Sequence, residues 1–361
     1  MKVKLSDLYD IGSSKRVFQS EWRDSGVPFY RAREIAKLSS DGTVDNELFI
    51  DEELYSEYIE KYGKPEAGDV MVTGVGTLGV CYVVKPDDRF YFKDGNILWF
   101  KQKAKDKILP EYLVKAFDSK EVKDFIDKNS SGTTVGTFTI QTAKKMEISL
   151  PSLGEQREII DKVTKIETII KQRKQELQLL DDLIKARFVE MFGHPDLNEK
   201  GWKMNTFGDI CTVRQGLQIP ISKRLTEYEE DCYEYITVQY LHGGKEREYI
   251  KSPKPTVICT KDDILMTRTG NTGMVITNVD GVFHNNFFLI DFDREKYDKD
   301  FLVQYLNLDL IQADILRRAG TSTIPDLNHS EFYKIRVFEP PVDLQRQFND
   351  FKCQVDKSKF S

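Results

Sequence analysis

The sequence predicts an α+β protein in which two duplicated domains are linked by a long helix with a heptad pattern. The first observation is an internal repeat with a period of about 190 residues, far longer than the repeats of solenoid proteins. The second is a charged segment between the copies with apolar residues at helical spacing. We therefore expect a first domain at 1–150, a spacer helix at 151–193, a second domain at 194–340 and the start of a second helix at 341–361.

Composition indicates a folded protein that is not built for a membrane. The chain has 361 residues, of which 40% are hydrophobic and 11% aromatic, enough for two domains that each bury a core. No apolar run approaches the roughly 18 residues of a membrane span, and the N-terminus lacks the apolar core of a signal peptide. We expect a cytoplasmic protein without a membrane partner.

Charge, cysteine use and missing motifs limit the possible functions. The formal net charge of −6 argues against a protein that binds DNA in general. It does not exclude a sequence-specific DNA-binding protein whose basic residues are confined to a few loops. The five cysteines and four histidines are scattered without metal-ligand spacing, so we expect neither a disulfide framework nor a metal site. We find no Asn/Asp-Pro-Pro-Tyr methyltransferase motif and no P-loop, and therefore expect this chain to be non-catalytic.

The two copies correspond over several separate segments. The segment GDVMVTGVGTLGVCYVV from Gly68 aligns with DDILMTRTGNTGMVITNV from Asp262, so that Thr73 matches Thr267. Further on, SGTTVGTFTIQTAKKMEISLP matches AGTSTIPDLNHSEFYKIRVFEPP, and both copies continue into a polar helix start that contains Gln-Arg. A repeat of this length indicates a domain duplication.

A glycine pattern in the first copy invites a nucleotide-binding interpretation. Gly74, Gly76 and Gly79 form G-x-G-x-x-G, which in dinucleotide-binding proteins is followed at once by a helix. Here β-branched residues follow in both copies, and the second copy has Arg268 in place of the first glycine. The segment therefore predicts a strand, a glycine loop and a second strand, that is, a β-hairpin. A nucleotide-dependent enzyme built around residues 74–79 is the weaker alternative.

The segment between the copies predicts a spacer helix of coiled-coil type. It starts after Pro151 with Ser152 and Glu155 at capping-box spacing and stops at Gly193. Over residues 155–192 it would measure about 55 Å. The apolar stripe that forms the expected coiled-coil interface consists of Ile159, Val163, Ile166, Ile170, Leu177, Leu180 and Ile184. An ordinary core helix packed on its own domain is the alternative.

The second copy starts the same kind of helix after Pro340 and Pro341. Phe348, Phe351 and Val355 have the matching spacing, but the expected helix runs barely two turns. Most of the stripe on the spacer helix would then lack a partner within the chain.

Three segments carry a resemblance to a known family: ISLPSLGEQREIIDKV from Ile148, LIKARFVEMFG from Leu183 and GWKMNTFGDIC from Gly201. Together with the duplication, they resemble the specificity subunit of Type I restriction–modification systems, with a shortened second helical region. The resemblance implies two target-recognition domains, each of which reads one half of a bipartite, asymmetric site in double-stranded DNA. The alternatives are an adaptor whose helix docks partner helices, and an inactive truncated allele of the same family.

The same resemblance implies partners that supply the chemistry. Two modification subunits would carry S-adenosylmethionine and methylate adenine, and restriction subunits would use ATP and Mg²⁺ for translocation and cleavage. It implies no cofactor in this chain, whose helices would set the spacing between the half-sites.

Candidate DNA contacts are loop side chains that can hydrogen-bond to base edges or phosphates. In the first domain they are Arg31, Arg33, Thr73, Thr77, Thr133, Thr134, Thr137, Gln141 and Lys144. In the second domain they are Arg214, Gln215, Gln218, Arg268, Asn271, Thr321, Ser322, Thr323 and Asn328. Arg31 and Arg33 would share one face of an extended segment, and the difference between Gly74 and Arg268 indicates that the domains read different bases. Solvated turns are the alternative for each of these residues.

Overall fold

The chain is divided into two compact units, residues 1–172 and 173–361. The computed structural model describes residues 1–130, 136–241, 243, 247–320 and 325–360. Both units mix helices with mostly antiparallel sheets, as the predicted α+β class requires. Within the described residues, no helix is long and apolar enough to cross a membrane.

The first unit holds the following elements in chain order. They are β1 (Lys2–Lys4), α1 (Leu5–Leu8), β2 (Tyr9–Gly12), β3 (Val27–Tyr30), α2 (Ala32–Asp41), β4 (Phe49–Ile50), α3 (Glu52–Tyr62), β5 (Val70–Thr73), β6 (Cys81–Val83), β7 (Tyr91–Phe92), β8 (Ile97–Gln102), α4 (Pro110–Phe117), α5 (Lys120–Ser130), α6 (Ile140–Lys145) and β9 (Glu147–Ser149). The long helix α7 (Leu153–Phe192) begins in this unit and continues into the second.

Strand β5 is the centre of the first unit because both of its faces are buried. The antiparallel sheet has the order β2-β8-β5-β6. Val70 and Val72 face one apolar cluster and Met71 faces another, so the strand reads as a continuous apolar run. A three-stranded sheet, β4-β3-β7, and the antiparallel pair β1-β9 complete the unit, and β3 runs parallel to β7.

The elements of the second unit repeat most of this list, with the strand Ile258–Cys259 where the first unit has helix α3. They are β10 (Lys203–Thr206), α8 (Phe207–Ile210), β11 (Cys211–Gln215), β12 (Cys232–Ile236), α9 (Val238–Leu241), β13 (Tyr249–Lys251), β14 (Ile258–Cys259), β15 (Ile264–Thr267), β16 (Val275–Ile276), β17 (Gly281–Phe283), β18 (Phe287–Phe292), α10 (Lys299–Leu306), α11 (Asp309–Ala319), α12 (His329–Phe332), β19 (Arg336–Glu339) and α13 (Val342–Ser358).

The sheet topology shows that the sequence repeat is a structural duplication. The order β11-β18-β15-β16 reproduces β2-β8-β5-β6, and the pair β10-β19 reproduces β1-β9. The sheet β13-β12-β17-β14 again contains one parallel pair, β12 with β17. Central strand β15 also separates two clusters, with Ile264 and Met266 on one face and Leu265 on the other.

The predicted signals at both ends of α7 are confirmed. The Ser152 backbone N–H donates to Glu155 Oε2 at 2.8 Å, and the Glu155 N–H donates back to Ser152 Oγ at 3.4 Å. At the other end Gly193 has a φ of 82°, and its N–H donates to the Val189 carbonyl at 2.7 Å. A left-handed glycine after the last turn is a common way to end a helix.

The apolar stripe of α7 changes its surroundings along the helix. Its members Ile159, Ile166 and Ile170 are exposed, Val163, Leu177 and Leu180 are half-buried, and Ile184 is buried. Beyond Ile184 the buried positions are Phe188 and Phe192, whereas Arg187, at the heptad position, lies over the Phe351 ring. The spacing of the apolar residues therefore changes from a heptad pattern to steps of four residues where α7 enters the core of the second unit.

Helix α13 is longer than the sequence analysis expected. The expectation of barely two turns is wrong, because the structure continues the helix over 17 residues. It packs antiparallel on the second half of α7: Phe188 stacks edge-on to Phe348 at 5.2 Å between centroids, and Arg173 Nη2 donates to the Lys359 carbonyl at 2.6 Å. The expectation that most of the stripe lacks an intramolecular partner thus fails for the part of α7 in the second unit.

A buried glutamine fixes the first turn of each of these two helices. Gln156 of α7 is 0% exposed; its Oε1 accepts from the Leu109 N–H at 2.9 Å, and its Nε2 donates to the Lys107 and Pro151 carbonyls at 2.8 and 2.9 Å. Gln345 of α13, also 0% exposed, makes the matching bonds to Asp298 N and to the Lys296 and Pro340 carbonyls. The glutamine of the Gln-Arg shared by both copies therefore has a structural role.

Replacing Gln156 by alanine should destabilise the first unit by about 3 kcal/mol, because one buried donor and two buried acceptors lose their partners. Urea unfolding of the full chain measures the effect, with Gln175→Ala at an exposed position of the same helix as the control. Equal transition midpoints for the two variants would show that the buried amide does not anchor the helix.

Candidate nucleic-acid interface

The glycine motif lies in a hairpin loop in both units, as predicted. Strand β5 pairs antiparallel with β6, and β15 pairs antiparallel with β16. Because a strand and not a helix follows the glycines, the context of a dinucleotide fingerprint is missing. Gly76 and Gly79 have φ values of 71° and 76°, and the glycines at the matching positions of the second unit have 85° and 90°. These left-handed conformations explain why glycine recurs there.

A threonine hydroxyl closes each loop from the inside, an arrangement referred to below as the threonine clasp. Thr73 Oγ1 donates to the Thr77 carbonyl and accepts from the Val80 N–H at 2.9 Å. In the second unit Thr267 Oγ1 donates to the Asn271 carbonyl and accepts from the Met274 N–H at 2.9 Å. Both threonines are at most 1% exposed. Thr73 therefore holds the loop and does not present its hydroxyl at the surface. The prediction that its side chain is available for a DNA contact does not fit this position.

The same backbone hydrogen bonds tie each hairpin loop to its neighbours. The residue after the clasp threonine donates its N–H to the carbonyl of an asparagine, which precedes β8 in the first unit and β18 in the second. The carbonyl of the same residue accepts a hydrogen bond from the segment before α6 in the first unit and before α12 in the second. The four bonds are Gly74 N to Asn96 O at 2.8 Å, Phe138 N to Gly74 O at 2.9 Å, Arg268 N to Asn286 O at 2.7 Å and Leu327 N to Arg268 O at 2.9 Å. In each unit the hairpin loop is thus joined to a second predicted contact segment, the one before α6 or α12.

The prediction for Arg31 and Arg33 rested on an extended segment, and this is wrong. Arg31 is the N-cap residue of α2 and Arg33 lies in its first turn. The reason is Glu34, which closes a capping box by accepting from the Arg31 N–H at 2.9 Å. Arg31 Nη2 also binds Glu34 at 2.8 Å, and Arg33 contacts both Glu34 and Glu47. Burial alone would raise the pKa of Glu34, but the hydrogen bonds from both arginines lower it.

The other described candidates of the first unit surround the hairpin. Thr77 is exposed at the loop tip, and Gln141 and Lys144 are exposed on α6. Thr137 is half-buried and lines a recess of about 410 Å³ together with Gln141. The structure therefore brings Thr77, Thr137 and Gln141 into one region through the loop that Gly74 and Phe138 hold together.

In the second unit two predicted residues meet in a polar cluster. Arg268 forms a bidentate pair with Asp326, through Nε to Oδ1 at 2.9 Å and Nη2 to Oδ2 at 2.8 Å. Its Nη1 donates to Gln215 Oε1 at 3.2 Å, which also accepts from His329 Nε2 at 2.9 Å. We call Gln215, Arg268, Asp326 and His329 the Arg268 cluster.

The remaining candidates of the second unit lie around this cluster. Gln218 and Asn271 are exposed, and Arg214 is half-buried and donates to the Thr256 carbonyl at 3.2 Å. Asn328 is the N-cap of α12, and its Oδ1 accepts from the Glu331 N–H at 2.9 Å. Thr133, Thr134, Thr321, Ser322 and Thr323 lie outside the described residues.

Sequence reasoning missed Asp326 and His329. Asp326 lies 58 residues after Arg268, and no local pattern links the two. His329 was grouped with the scattered histidines, yet burial lowers its pKa below the usual 6.5, Arg268 lowers it further, and Asp326 raises it. The only available signal was that the segment after Thr323 aligned with a loop of the first copy.

The cysteines contribute no recognisable chemistry. Cys81, Cys211, Cys232 and Cys259 are buried and unpaired by disulfides, and burial raises the pKa of Cys211 to about 12. Among the described residues, no group of three His, Cys, Asp or Glu side chains could hold a metal ion.

Comparison with known families identifies the duplicated unit. The profile of the Type I restriction modification DNA specificity domain matches residues 1–179 and, a second time, residues 199–359. The chain belongs to this family.

Two curated relatives are themselves specificity subunits. A putative type I restriction enzyme specificity subunit of Haemophilus influenzae is 28% identical over 187 residues, which are 52% of this chain and 45% of that protein. The MjaIX specificity subunit of Methanocaldococcus jannaschii is 27% identical over 275 residues, 68% of this chain and 62% of that protein. The alignments therefore span about half to three fifths of the length of these relatives.

Solved structures show the same fold in the specificity-subunit family. The S subunit of a Type I system from M. genitalium superposes with a TM-score of 0.58 at 16% identity, covering 99% of this chain and 90% of the other. A chain from a structural study of complex assembly and conformational transition in the type I system gives 0.58 at 18% identity with the same coverage.

Removing the clasp hydroxyl should loosen the hairpin. Thr73→Val removes the buried hydroxyl and leaves both the Val80 N–H and the Thr77 carbonyl without this partner, which should cost about 2 kcal/mol, measured by urea unfolding. Thr77→Val removes an exposed hydroxyl from the same loop and should change stability by less than about 0.5 kcal/mol. Equal losses in both variants would contradict the assignment of the clasp.

The lowered pKa of His329 predicts a pH dependence of stability. The unfolded chain binds a proton at this side chain more readily than the folded chain, so its contribution is present above pH 6.5 and is lost as pH falls below it. His329→Gln should flatten the fall of the unfolding free energy just below pH 6.5. His284→Gln should do so separately, because burial also lowers the pKa of His284. An unchanged slope in the His329 variant would contradict this prediction.

Proposed function

We propose that this chain is the DNA-reading subunit of a Type I restriction–modification complex. Each unit reads one half of a bipartite, asymmetric site in double-stranded DNA. The chain itself carries no catalysis and no cofactor. The proposal places the protein in the cytoplasm, where the chromosome is accessible.

The observation that carries the proposal is the duplication of a DNA specificity domain. Two matches to one family profile coincide with two units of the same sheet topology. Within them, the hairpin loops have the same clasp but different residues directly after the clasp threonine, the buried Gly74 in one unit and the half-buried Arg268 in the other. The two units share one backbone scaffold but carry different side chains on their loops. This suits two domains that recognise different half-sites, because base edges are recognised by side chains and not by the backbone.

The catalytic steps belong to partner subunits in this proposal. Two modification subunits bind S-adenosylmethionine and methylate adenine within the site. Restriction subunits use ATP and Mg²⁺ for translocation and cleavage. The exposed apolar residues Ile166, Ile169 and Ile170 of α7, each at least 50% exposed, support a role of this helix in contacts with other helices.

The test is co-purification with the modification subunits, followed by base-resolution mapping of adenine methylation on plasmid DNA. We expect one bipartite motif, and no motif when the modification subunits are supplied without this chain. Co-purification without any motif would instead support the adaptor or an inactive allele. A single uninterrupted motif would contradict the reading of two half-sites.

The length of α7 should set the gap between the half-sites. Deletion of residues 166–172 removes one heptad, shortens the helix by about 10 Å and should change the tolerated gap. Methylation mapping measures it, with a control in which alanine-rich helical sequence replaces the same seven residues. An identical gap preference in the deletion and the control would contradict a spacer role for α7.

A further inference from the structure

The two units differ in chemistry at one matched location beside the hairpin loop. Thr73 pairs with Ile97 and Thr267 pairs with Phe287, so Gly74 and Arg268 occupy equivalent positions. Their carbonyls accept from Phe138 N and Leu327 N at the same distance of 2.9 Å. By this register Thr137 corresponds to Asp326 and Ile140 corresponds to His329.

Gln215, the remaining member of the Arg268 cluster, also has a counterpart in the first unit. Gln215 Nε2 donates to the Phe287 carbonyl at 3.5 Å, and Ser13 Oγ donates to the matching Ile97 carbonyl at 2.9 Å. All four polar residues of the Arg268 cluster are therefore replaced in the first unit by small or apolar residues. They are Ser13, Gly74, Thr137 and Ile140.

The first unit has a recess at this location. It has a volume of about 410 Å³, and its lining includes Ser13, Leu98, Thr137 and Ile140. An arginine could not simply be placed here: a Cβ on Gly74 would lie 2.7 Å from Leu98 Cδ1 and 2.8 Å from the Phe138 carbonyl oxygen. The difference between the units is therefore built into their backbones as well as their side chains.

In the second unit the guanidinium is held by groups that are themselves fixed. Asp326 is positioned by a backbone bridge to Thr269 in the hairpin loop and by the Thr272 hydroxyl, which donates to the Pro325 carbonyl at 2.7 Å. Gln215 is held through its Nε2, which donates to the Asn285 carbonyl. Arg268 therefore keeps one orientation while 27% of its side chain stays exposed.

The geometry leaves suitable donors on this side chain. An arginine has five N–H donors, and the contacts within the described part of the chain engage Nε, one N–H of Nη1 and one N–H of Nη2. Toward the described residues, one further N–H remains on each terminal nitrogen. Two N–H groups in one guanidinium plane can pair with the O6 and N7 acceptors of guanine in the major groove.

We infer that Arg268 reads a guanine in the half-site of the second unit, and that Asp326 is the residue that positions it. This inference rests on the proposed function. The half-site of the first unit is read without such an arginine, because the equivalent location is an open recess.

The carboxylate argues for a base contact and against a phosphate contact. Asp326 lies in a bidentate pair with the guanidinium, so the pair adds little net positive charge to attract the DNA backbone. It also fixes the plane of the guanidinium, which a bidentate base contact requires. A base-reading arginine and a phosphate-binding arginine give different results when they are replaced.

The experiment uses the complete complex with its modification subunits and maps methylation on a plasmid library with randomised sites. Arg268→Ala should relax one guanine position in one half-site, with a loss of discrimination of about ten- to one-hundred-fold. The other half-site should be unchanged. The salt dependence of binding should keep its slope, whereas loss of a phosphate contact would lower the slope by about 1.

Two further variants separate positioning from folding. Arg268→Lys keeps the charge but loses the planar fork through which Asp326 holds the side chain toward the base, so it should relax the same position even if the alanine variant is unstable. Asp326→Asn keeps Arg268 and should relax that position in part. Arg294→Ala, which removes another ion-paired arginine of the second unit, serves as the control and should keep the whole motif.

The outcomes are distinguishable. A full motif in both Arg268 variants, or an equal loss at all sequences with a lower salt slope, would overturn the inference and leave the proposed function intact. Absence of any bipartite motif in the unsubstituted complex would instead overturn the proposed function.

Discussion

A buried threonine hydroxyl at the end of a central strand fixes the geometry on which both candidate recognition surfaces depend. Thr73 and Thr267 each bind one carbonyl and one N–H across a loop of left-handed glycines. The loop can then hold the residue at position 74 or 268 against the segment before α6 or α12. Because the frame is made of backbone and a buried hydroxyl, the exposed side chains can differ between the units without changing it.

The starts of the two long helices are likewise fixed by a buried side chain that binds backbone groups. Gln156 and Gln345 bind three backbone groups each and fix the first turns of α7 and α13 on their own units. A reader of DNA needs its contact residues on rigid supports, since a misplaced donor loses the hydrogen bonds that discriminate bases. Both buried threonine and buried glutamine serve this need in each copy.

The sequence predicted the features that depend on local chemistry. The hairpins followed from β-branched residues after the glycines, and the ends of α7 followed from Ser152, Glu155 and Gly193. The duplication was readable because matched segments share their spacing.

Long-range contacts could not be read in this way. Asp326 and His329 join Arg268 only through the folding of distant segments. Arg31 and Arg33 were misplaced because Glu34 starts a helix where an extended segment was expected. The length of α13 was underestimated, although Phe348 on this helix packs on Phe188 and Phe192 of α7.

Photocrosslinking of the complex to a duplex that carries its methylated motif tests the central claim most directly. With a photoreactive base placed in one half-site at a time, mass spectrometry identifies the attached peptides. The account predicts attachment to residues 73–79 or 137–144 from one half-site and to residues 267–273 or 325–329 from the other. Attachment of both half-sites to peptides of a single unit would contradict it.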